Sequence, residues 1–206
     1  MQDLLKRYPA LSVCADSIQN ALKLMKETYE KGGTMLLCGN GGSCADCEHI
    51  VGELMKGFLS MRRMKEEDYK SIQKMFPEDA DYFSETLQYG IPAVSLPSLT
   101  AVGSAFINDV AADMVYAQLV YGLGKSQDLV IGISTSGNSK NVVNALKIAK
   151  AKGLKTLGLT GAKPSMMDEL CDVVIKVPET ETYKIQEYHL PVYHYLCAEL
   201  EQRLFA

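Results

Sequence analysis

Two residues of this sequence have types and a spacing that could support acid–base or metal chemistry. His49 and Glu53 are four positions apart, so in a helix their side chains share one face. An imidazole and a carboxylate on one helix face can hold a divalent metal ion, or can act as a base and the group that orients it. An ordinary pair on a helix surface explains the spacing equally well, so the spacing alone assigns no role.

A second set of candidate residues lies near the end of the sequence. Gln186 and His194 are eight positions apart, which corresponds to about 80° around an ideal helix. Pro191 lies between them and is expected to bend that helix. His194 is flanked by tyrosines, and a histidine in such surroundings is more often a packed core residue than a ligand. Geometry alone therefore leaves both interpretations open.

Two short loops have the composition of phosphate-binding loops. Each follows an apolar run and precedes a helical pattern, and they are residues 39–43 (GNGGS) and 134–139 (STSGNS). Backbone N–H groups at a helix N-terminus favour an anion, glycine permits close approach, and hydroxyls donate further hydrogen bonds. Neither loop has the spacing of a P-loop or of a dinucleotide-binding fold. Helix capping is the alternative for both, but the four hydroxyls of the second loop exceed what a cap requires and favour phosphate.

The six cysteines are expected to be reduced. Four lie singly among apolar residues, as packed cysteines do; they are Cys14, Cys38, Cys171 and Cys197. Cys44 and Cys47 form a single CxxC pair, and a zinc knuckle would need a second one. A redox pair is the alternative to packing, and it predicts a lowered pKa for the Cys44 thiol.

The segments that carry these motifs predict a parallel sheet covered by helices. Short apolar runs are typical of buried strands; they lie at 34–38, 128–133, 155–160, 172–177 and 92–96. Helical patterns alternate with them; they lie at 9–31, from the first loop to about 57, at 141–152 and at about 182–204. The alternation predicts an α/β fold, a three-layer doubly wound parallel sheet flanked by helices.

Residues 60–89 interrupt this alternation because they are dense in charged side chains. The pattern favours a pair of solvated surface helices, inserted in a single domain of residues 1–206. A lid beside the site is the alternative.

The composition excludes several classes of protein. The chain has 206 residues, of which 47% are apolar, a formal net charge of −4 and three histidines. This length fits one domain with a substantial core, and the mild acidity argues against a broad electrostatic grip on nucleic acid or on an anionic membrane. No apolar run has the ~18–20 residues that span a bilayer, and no signal pattern is present. We expect a soluble cytoplasmic protein that contacts neither nucleic acid nor membrane directly.

Together, the motifs resemble those of a known family, the sugar isomerase (SIS) domain. They are residues 39–43, His49 with Glu53, residues 134–139, and residues 184–189 (KIQEYH) with His194. The serine-rich loop is typical of any SIS domain. The histidine–glutamate and glutamine–histidine sets are similar to those of the phosphoheptose isomerases, which interconvert sedoheptulose 7-phosphate and a heptose 7-phosphate. The resemblance covers the chain apart from residues 59–91 and implies a flavodoxin- or Rossmann-like sheet with an N-terminal helix.

The resemblance also implies roles for particular residues. It implies Glu53 as the base and His194 as the acid of an aldose–ketose isomerisation through an enediol(ate). It implies one zinc ion per subunit, held by His49, Glu53, Gln186 and His194. The implied contacts with a phosphorylated sugar are Asn40, Gly41, Gly42, Ser43, Asn108, Asp109, Ser134, Thr135, Ser136 and Ser139. The family further implies a homotetramer, or at least a homodimer, with sites at subunit interfaces.

A few positions depart from the family pattern. Lys56 and Gly57 lie where the family has Gly-Arg after the glutamate, and Tyr183 replaces an aspartate. These changes lie nearer the sugar end than the phosphate end, so they concern which phosphosugar is bound. The alternative function is a non-catalytic SIS protein that binds a phosphosugar or associates with a replication initiator. The retained acid–base residues argue against it, because binding alone needs none of them.

Overall fold

The centre of the protein is a parallel sheet of five strands, in a computed structural model that describes residues 1–205. The strands are β1 (Met35–Gly39), β2 (Ala93–Ser95), β3 (Leu129–Ile133), β4 (Lys155–Thr160) and β5 (Val173–Lys176). They lie in the order β2-β1-β3-β4-β5, and every neighbouring pair is parallel. The chain winds in both directions from β1, which confirms the predicted doubly wound sheet.

Helices surround the sheet. They are α1 (Gln2–Arg7), α2 (Ala15–Glu30), α3 (Gly42–Met55), α4 (Glu66–Met75), α5 (Ala80–Thr86), α6 (Thr100–Asp109), α7 (Val115–Leu123), α8 (Lys140–Ala151), α9 (Met167–Leu170) and α10 (Thr182–Phe205). Short 3-10 turns lie at Pro9–Cys14, Leu96–Ser98 and Ala112–Met114. Among the described helices, none combines the length and apolarity that crossing a bilayer requires.

Both faces of the sheet are covered, as its unbroken apolar strands predict. On one face α2, α3 and α10 pack against side chains that include Leu37 and Ile131. On the other face α7, α8 and α9 pack against side chains that include Leu36 and Val130. Successive strand residues point to opposite faces, so β1 and β3 contribute to both cores. This layering places α3 and α10, which carry the candidate acid–base residues, against each other on one face.

The N-terminal segment is less regular than the predicted helix over 9–31. Tyr8 precedes a proline and has a non-helical backbone (φ −131°, ψ 73°), as residues in that position commonly do. Helix α1 therefore ends before it, and α2 begins only after the 3-10 turn. The buried residues Ile18, Leu22 and Met25 have the spacing of one helix face, which is the pattern of an amphipathic helix.

The charged segment 60–89 contains α4 and α5, which confirms the pair of surface helices. No residue of α4 is buried, and Arg63 pairs with Gln88 where the segment leaves and rejoins the domain. Helices α6 and α7 lie between β2 and β3, where no element is predicted. Helix α7 packs onto the sheet, whereas α6 has no buried residue.

Candidate active site

The two glycine- and serine-rich loops lie side by side at the carboxyl edge of the sheet. They follow β1 and β3, which are neighbouring parallel strands. The amides of Asn40 and Asn141 join the loops, because each donates its Nδ2 to the other's Oδ1 at 2.9 Å. The carboxyl edge of an open α/β sheet is where such folds bind ligands. The predicted strand–loop–helix geometry is therefore confirmed for both loops.

The loop 134–139 gathers hydroxyls around the start of α8. The Oγ atom of Ser134 lies 2.9 Å from that of Ser139 and 3.4 Å from that of Ser136. Gly137 has a φ of +64°, a backbone conformation that glycine adopts without strain. A cavity of about 180 Å³ beside the loop is lined by Thr135 and Ser136 among others. The hydroxyls and the N-terminus of α8 form a pocket suited to a phosphate group.

The first loop turns tightly into α3. Gly41 has a φ of +56°, and the hydroxyl of Tyr116 donates to the carbonyl of Gly39 at 2.8 Å. A Cβ atom on Gly42 would lie 2.4 Å from Nε2 of Gln186, so only glycine fits there without movement. The structure thus brings Gln186 from α10 against the first residue of α3.

The acid–base residues meet two helical turns further along α3. The Nε2 atom of His49 lies 3.3 Å from Oε1 of Glu53 on the same helix and 3.4 Å from Nε2 of His194 on α10. Glu53 is 16% exposed and also lies 3.4 Å from the ammonium of Lys56. Helix α10 continues through Pro191. The two helices therefore place the predicted base and the predicted acid at the same nitrogen of one imidazole.

Two residues that sequence reasoning missed hold this imidazole from its other side. The hydroxyl of Tyr193 lies 3.0 Å from Nδ1 of His49 and 3.2 Å from Oδ1 of Asp46. The second carboxylate oxygen of Asp46 is buried without a hydrogen-bond partner. If the hydroxyl donates to Asp46, it accepts from Nδ1 of His49, which leaves the lone pair of Nε2 facing Glu53 and His194. The position of Asp46 one turn before His49 is a sequence signal that could have found it.

Burial shifts the pKa values of groups in this cluster. It lowers the pKa of His194, and His49 lowers it further, while the charge of Glu53 acts in the opposite direction. The imidazole of His194 is therefore neutral near pH 7. Burial raises the pKa of Asp46, against the hydrogen bond from Tyr193 and the charge of His49.

Comparisons with known proteins identify the family. Two family models, both described as SIS domain, match residues 2–90 and 105–195. The phosphoheptose isomerase of Aliarcobacter butzleri is 38% identical over 189 residues, which cover 92% of this chain and 86% of that protein. The chain belongs to the phosphoheptose isomerase family. Solved structures of phosphoheptose isomerases from Neisseria gonorrhoeae and Francisella tularensis superpose with TM-scores of 0.75 and 0.78, at 28% and 26% identity. The superposed regions cover 98% and 95% of this chain, and 94% and 91% of the two solved chains, respectively.

Two residues predicted from this family to contact substrate lie apart from the others. Asn108 and Asp109 end helix α6, are exposed, and hydrogen-bond to each other at 2.8 Å. Helix α6 contacts α7 and the turn before it. Within the described chain the two residues form no hydrogen bond with either loop.

The predicted zinc ligands of the phosphoheptose isomerase family are only partly assembled. Nε2 of His49 lies 3.3 Å from Oε1 of Glu53 and 3.4 Å from Nε2 of His194. Both distances are close to the separation of about 3.3 Å expected between two ligand atoms of a tetrahedral zinc ion. Gln186, however, lies against Gly42. No set of three or more His, Cys, Asp or Glu side chains within residues 1–205 has the geometry of a metal site. The nitrogen and oxygen donors suit zinc chemically, and a bound zinc ion stays a prediction.

The alternative of a redox CxxC pair is wrong on electrostatic grounds. All six cysteines are unpaired. Burial raises the pKa of Cys44, and burial together with neighbouring thiols raises that of Cys47 well above its usual value. A redox pair needs the opposite shift. The two residues are packing cysteines next to the first loop.

Proposed function

We propose that this protein interconverts sedoheptulose 7-phosphate and a heptose 7-phosphate. Membership of the phosphoheptose isomerase family supports the reaction. The observation that carries it is the meeting of Glu53 and His194 at the His49 imidazole, on helices that begin or pass beside the phosphate-type loops. Binding a phosphosugar would need the loops alone. The acid–base cluster favours catalysis over a purely regulatory protein.

The proposed reaction needs a base and an acid on neighbouring carbons of the sugar. Glu53 would remove the proton from the carbon next to the carbonyl, and the neutral imidazole of His194 would hold or return a proton at the adjacent oxygen. Lys56 lies 3.4 Å from the second oxygen of Glu53 and keeps that carboxylate oriented. His49 separates the two groups and can relay a proton between them.

The phosphate would bind in the serine loop, whose hydroxyls and backbone N–H groups supply the donors. The proposed contacts there are Ser134, Thr135, Ser136 and Ser139. The sugar would extend toward the first loop, whose proposed contacts are Asn40, Gly41, Gly42 and Ser43. The amide pair of Asn40 and Asn141 fixes the spacing of the two sets.

We propose that the site takes one zinc ion, held by His49, Glu53 and His194, with Gln186 as a fourth ligand. A bound zinc ion would stabilise the negative charge of the enediolate oxygen. A carboxylate bound to a metal is a weaker base, so either Glu53 would leave the ion during turnover or the metal would mainly organise the site. Metal analysis of the purified protein, expected to give one zinc per chain, tests this assignment.

We further propose that the protein is a homo-oligomer, at least a dimer and by family expectation a tetramer. Helix α6 supports this, because it is apolar yet has no buried residue: Val102 is 46% exposed and Ile107 50%, and Val110, directly after the helix, is 67% exposed. An apolar surface of this kind marks an interface. A second copy covering α6 would also bring Asn108 and Asp109 into a shared site. Light scattering of the eluting protein measures the mass, and a monomer at micromolar concentration would refute the proposal. A cytoplasmic location stays a prediction.

The isomerase proposal is tested by turnover. The protein is incubated with zinc and sedoheptulose 7-phosphate, and aldose formation is followed by NMR. We expect turnover by the wild type and a loss of about a hundredfold or more in Glu53→Gln, since a positioned base contributes roughly 10²–10⁴-fold. Glu48→Gln, on the same helix and bonded to Ser98, is the matched control and should retain activity. An inactive wild type, or a fully active Glu53→Gln, contradicts the proposal.

A further inference from the structure

A buried ion pair lies beneath the acid–base cluster. Arg62, in the charged segment, and Glu201, on α10, have side chains that are 0% and 3% exposed, and Nε of Arg62 lies 2.7 Å from Oε1 of Glu201. Removing two charges from water costs several kcal/mol per ion in real proteins. Such a pair is stable only if further hydrogen bonds satisfy both groups.

The carboxylate of Glu201 is fully satisfied by backbone groups. It accepts hydrogen bonds from the N–H groups of Phe58, Leu59 and Ser60 at 2.8, 2.7 and 3.0 Å. These three residues follow the end of α3, where the chain reverses toward the charged segment. Glu201 therefore ties the turn after α3 to α10.

The guanidinium of Arg62 uses its remaining donors on the end of α3 itself. Nη2 donates to the carbonyl of Glu53 at 3.0 Å, and Nη1 donates to the carbonyl of Leu54. The last carbonyls of a helix lack partners within the helix, and a cation at that end also matches the helix dipole. Arg62 thus binds the backbone of the residue proposed as the catalytic base.

Glu201, the acidic member of the ion pair, lies on the same face of α10 as the proposed acid His194. Glu201 lies seven residues after His194, which is two turns, or about 10 Å, along the same face of α10. No proline interrupts the helix between them. One ion pair therefore connects the backbone of Glu53 to the helix face that presents His194.

We propose that Arg62 and Glu201 are positioning residues that fix the separation of Glu53 and His194. This inference rests on the isomerase function proposed above. The ion pair and its backbone bonds form a brace between α3 and α10, and neither side chain touches the substrate. Displacements of about 1 Å between reacting groups can cost as much as a hundredfold in rate, so a brace at this place acts on catalysis as well as on folding.

Three graded variants test the brace: Glu201→Asp, Arg62→Lys and Glu201→Gln. Lysine keeps a cation near Glu201 but lacks the planar guanidinium that reaches Glu201 and both carbonyls of α3 at once, and aspartate withdraws the carboxylate by one methylene. We expect kcat to fall about tenfold or more in Arg62→Lys, with KM and the inhibition constant of inorganic phosphate within about twofold of wild type. A role limited to stability would lower the melting temperature and leave kcat unchanged below it.

The controls separate the possible failures. Glu199 and Arg203 form an exposed ion pair on the same helix, and Glu199→Gln should leave kcat unchanged. Wild-type turnover in the same assay tests the isomerase function independently, because its absence refutes that function and not the brace. Any folded variant of the three that keeps wild-type kcat overturns the proposal. Glu201→Asp, the mildest change, decides the case if the other two do not fold.

Discussion

The two ends of the candidate site are built in different ways. The phosphate end lies within the six residues of 134–139 and uses hydroxyls and backbone N–H groups around one helix N-terminus. The acid–base end joins His49 to His194, which are 145 positions apart, and depends on how α3 packs against α10. The proposed phosphate site depends on a local loop, whereas the proposed acid–base site depends on the packing of two helices.

The difference also explains why net charge is a poor guide to this site. The chain carries a formal charge of −4, yet the phosphate end needs no lysine or arginine, since its positive potential comes from helix and backbone dipoles. The acid–base end uses two imidazoles and a carboxylate, which add little to the sum. If the two ends are separable, a variant at one end should leave the other intact.

The variant His194→Gln is expected to have the largest effect on catalysis with the smallest effect on phosphate binding. Removing the proposed acid should lower kcat by about a hundredfold or more, while the inhibition constant of inorganic phosphate stays within about twofold. Steady-state kinetics with sedoheptulose 7-phosphate measure both quantities in one preparation. Loss of phosphate binding together with kcat would show that the two ends are coupled.

The variant Ser134→Ala is expected to weaken phosphate binding and to leave kcat nearly unchanged. Its buried hydroxyl contacts those of Ser136 and Ser139, and a hydrogen bond to a charged group is worth about 1.5–3 kcal/mol. KM and the phosphate inhibition constant should rise about tenfold or more, with kcat within about threefold. Ser71→Ala, an exposed serine on α4, is the matched control. A change in kcat alone would contradict this division of roles.

A smaller effect is expected from Tyr193→Phe. Without the hydroxyl, Nδ1 of His49 loses its partner, and loss of such an orienting group commonly weakens a metal site about tenfold or more. We expect kcat to fall three- to tenfold, by analogy with such losses. Zinc affinity, measured by competition with a chelating dye, should fall in parallel. Tyr195→Phe, which removes a hydroxyl bonded to Gln19, should change neither value.

The smallest effect concerns the third histidine. His189 lies on α10 but is fully buried, and burial lowers its pKa to about 4. The unfolded chain binds this proton near pH 6.5 and the folded chain does not, so stability falls as pH falls through that window. Urea unfolding should lose about 1 kcal/mol between about pH 7 and about pH 5.5 from this group. His189→Gln should flatten the slope of stability against pH, and a slope equal to that of the wild type would contradict the assignment.

Sequence reasoning predicts the elements of the fold well where the pattern is local. Each strand overlaps a predicted apolar run, and α8 overlaps a predicted helical pattern, with Val142, Ala145, Leu146 and Ala149 buried at helical spacing. The sequence pattern does not predict helix α6, none of whose residues is buried in the described chain. The break between α1 and α2 depends on backbone geometry at Tyr8 rather than on periodicity.

The candidate site, like the fold, contains parts that the sequence predicts and parts that only the folded structure shows. Loop composition predicts the phosphate end, and resemblance to the family predicts the residues of the acid–base end. Tyr193 could not be found, because an aromatic residue in a buried helix gives no sign that its hydroxyl reaches another helix. Arg62 lies in a charged segment, and only the folded structure shows that it is one of the most deeply buried side chains.

The position of α10 in the chain has a consequence for synthesis. All five strands and both loops precede it, so a nascent chain that has not yet produced α10 already contains both loops but not the α10 residues Thr182 and Ile185 that line the cavity beside the second one. Gln186, His194 and Glu201 all belong to that later helix. Because a domain generally folds as a unit during translation and α10 supplies core side chains such as Tyr193 and Leu196, both ends of the site are expected to form together, only after this last helix has been synthesised.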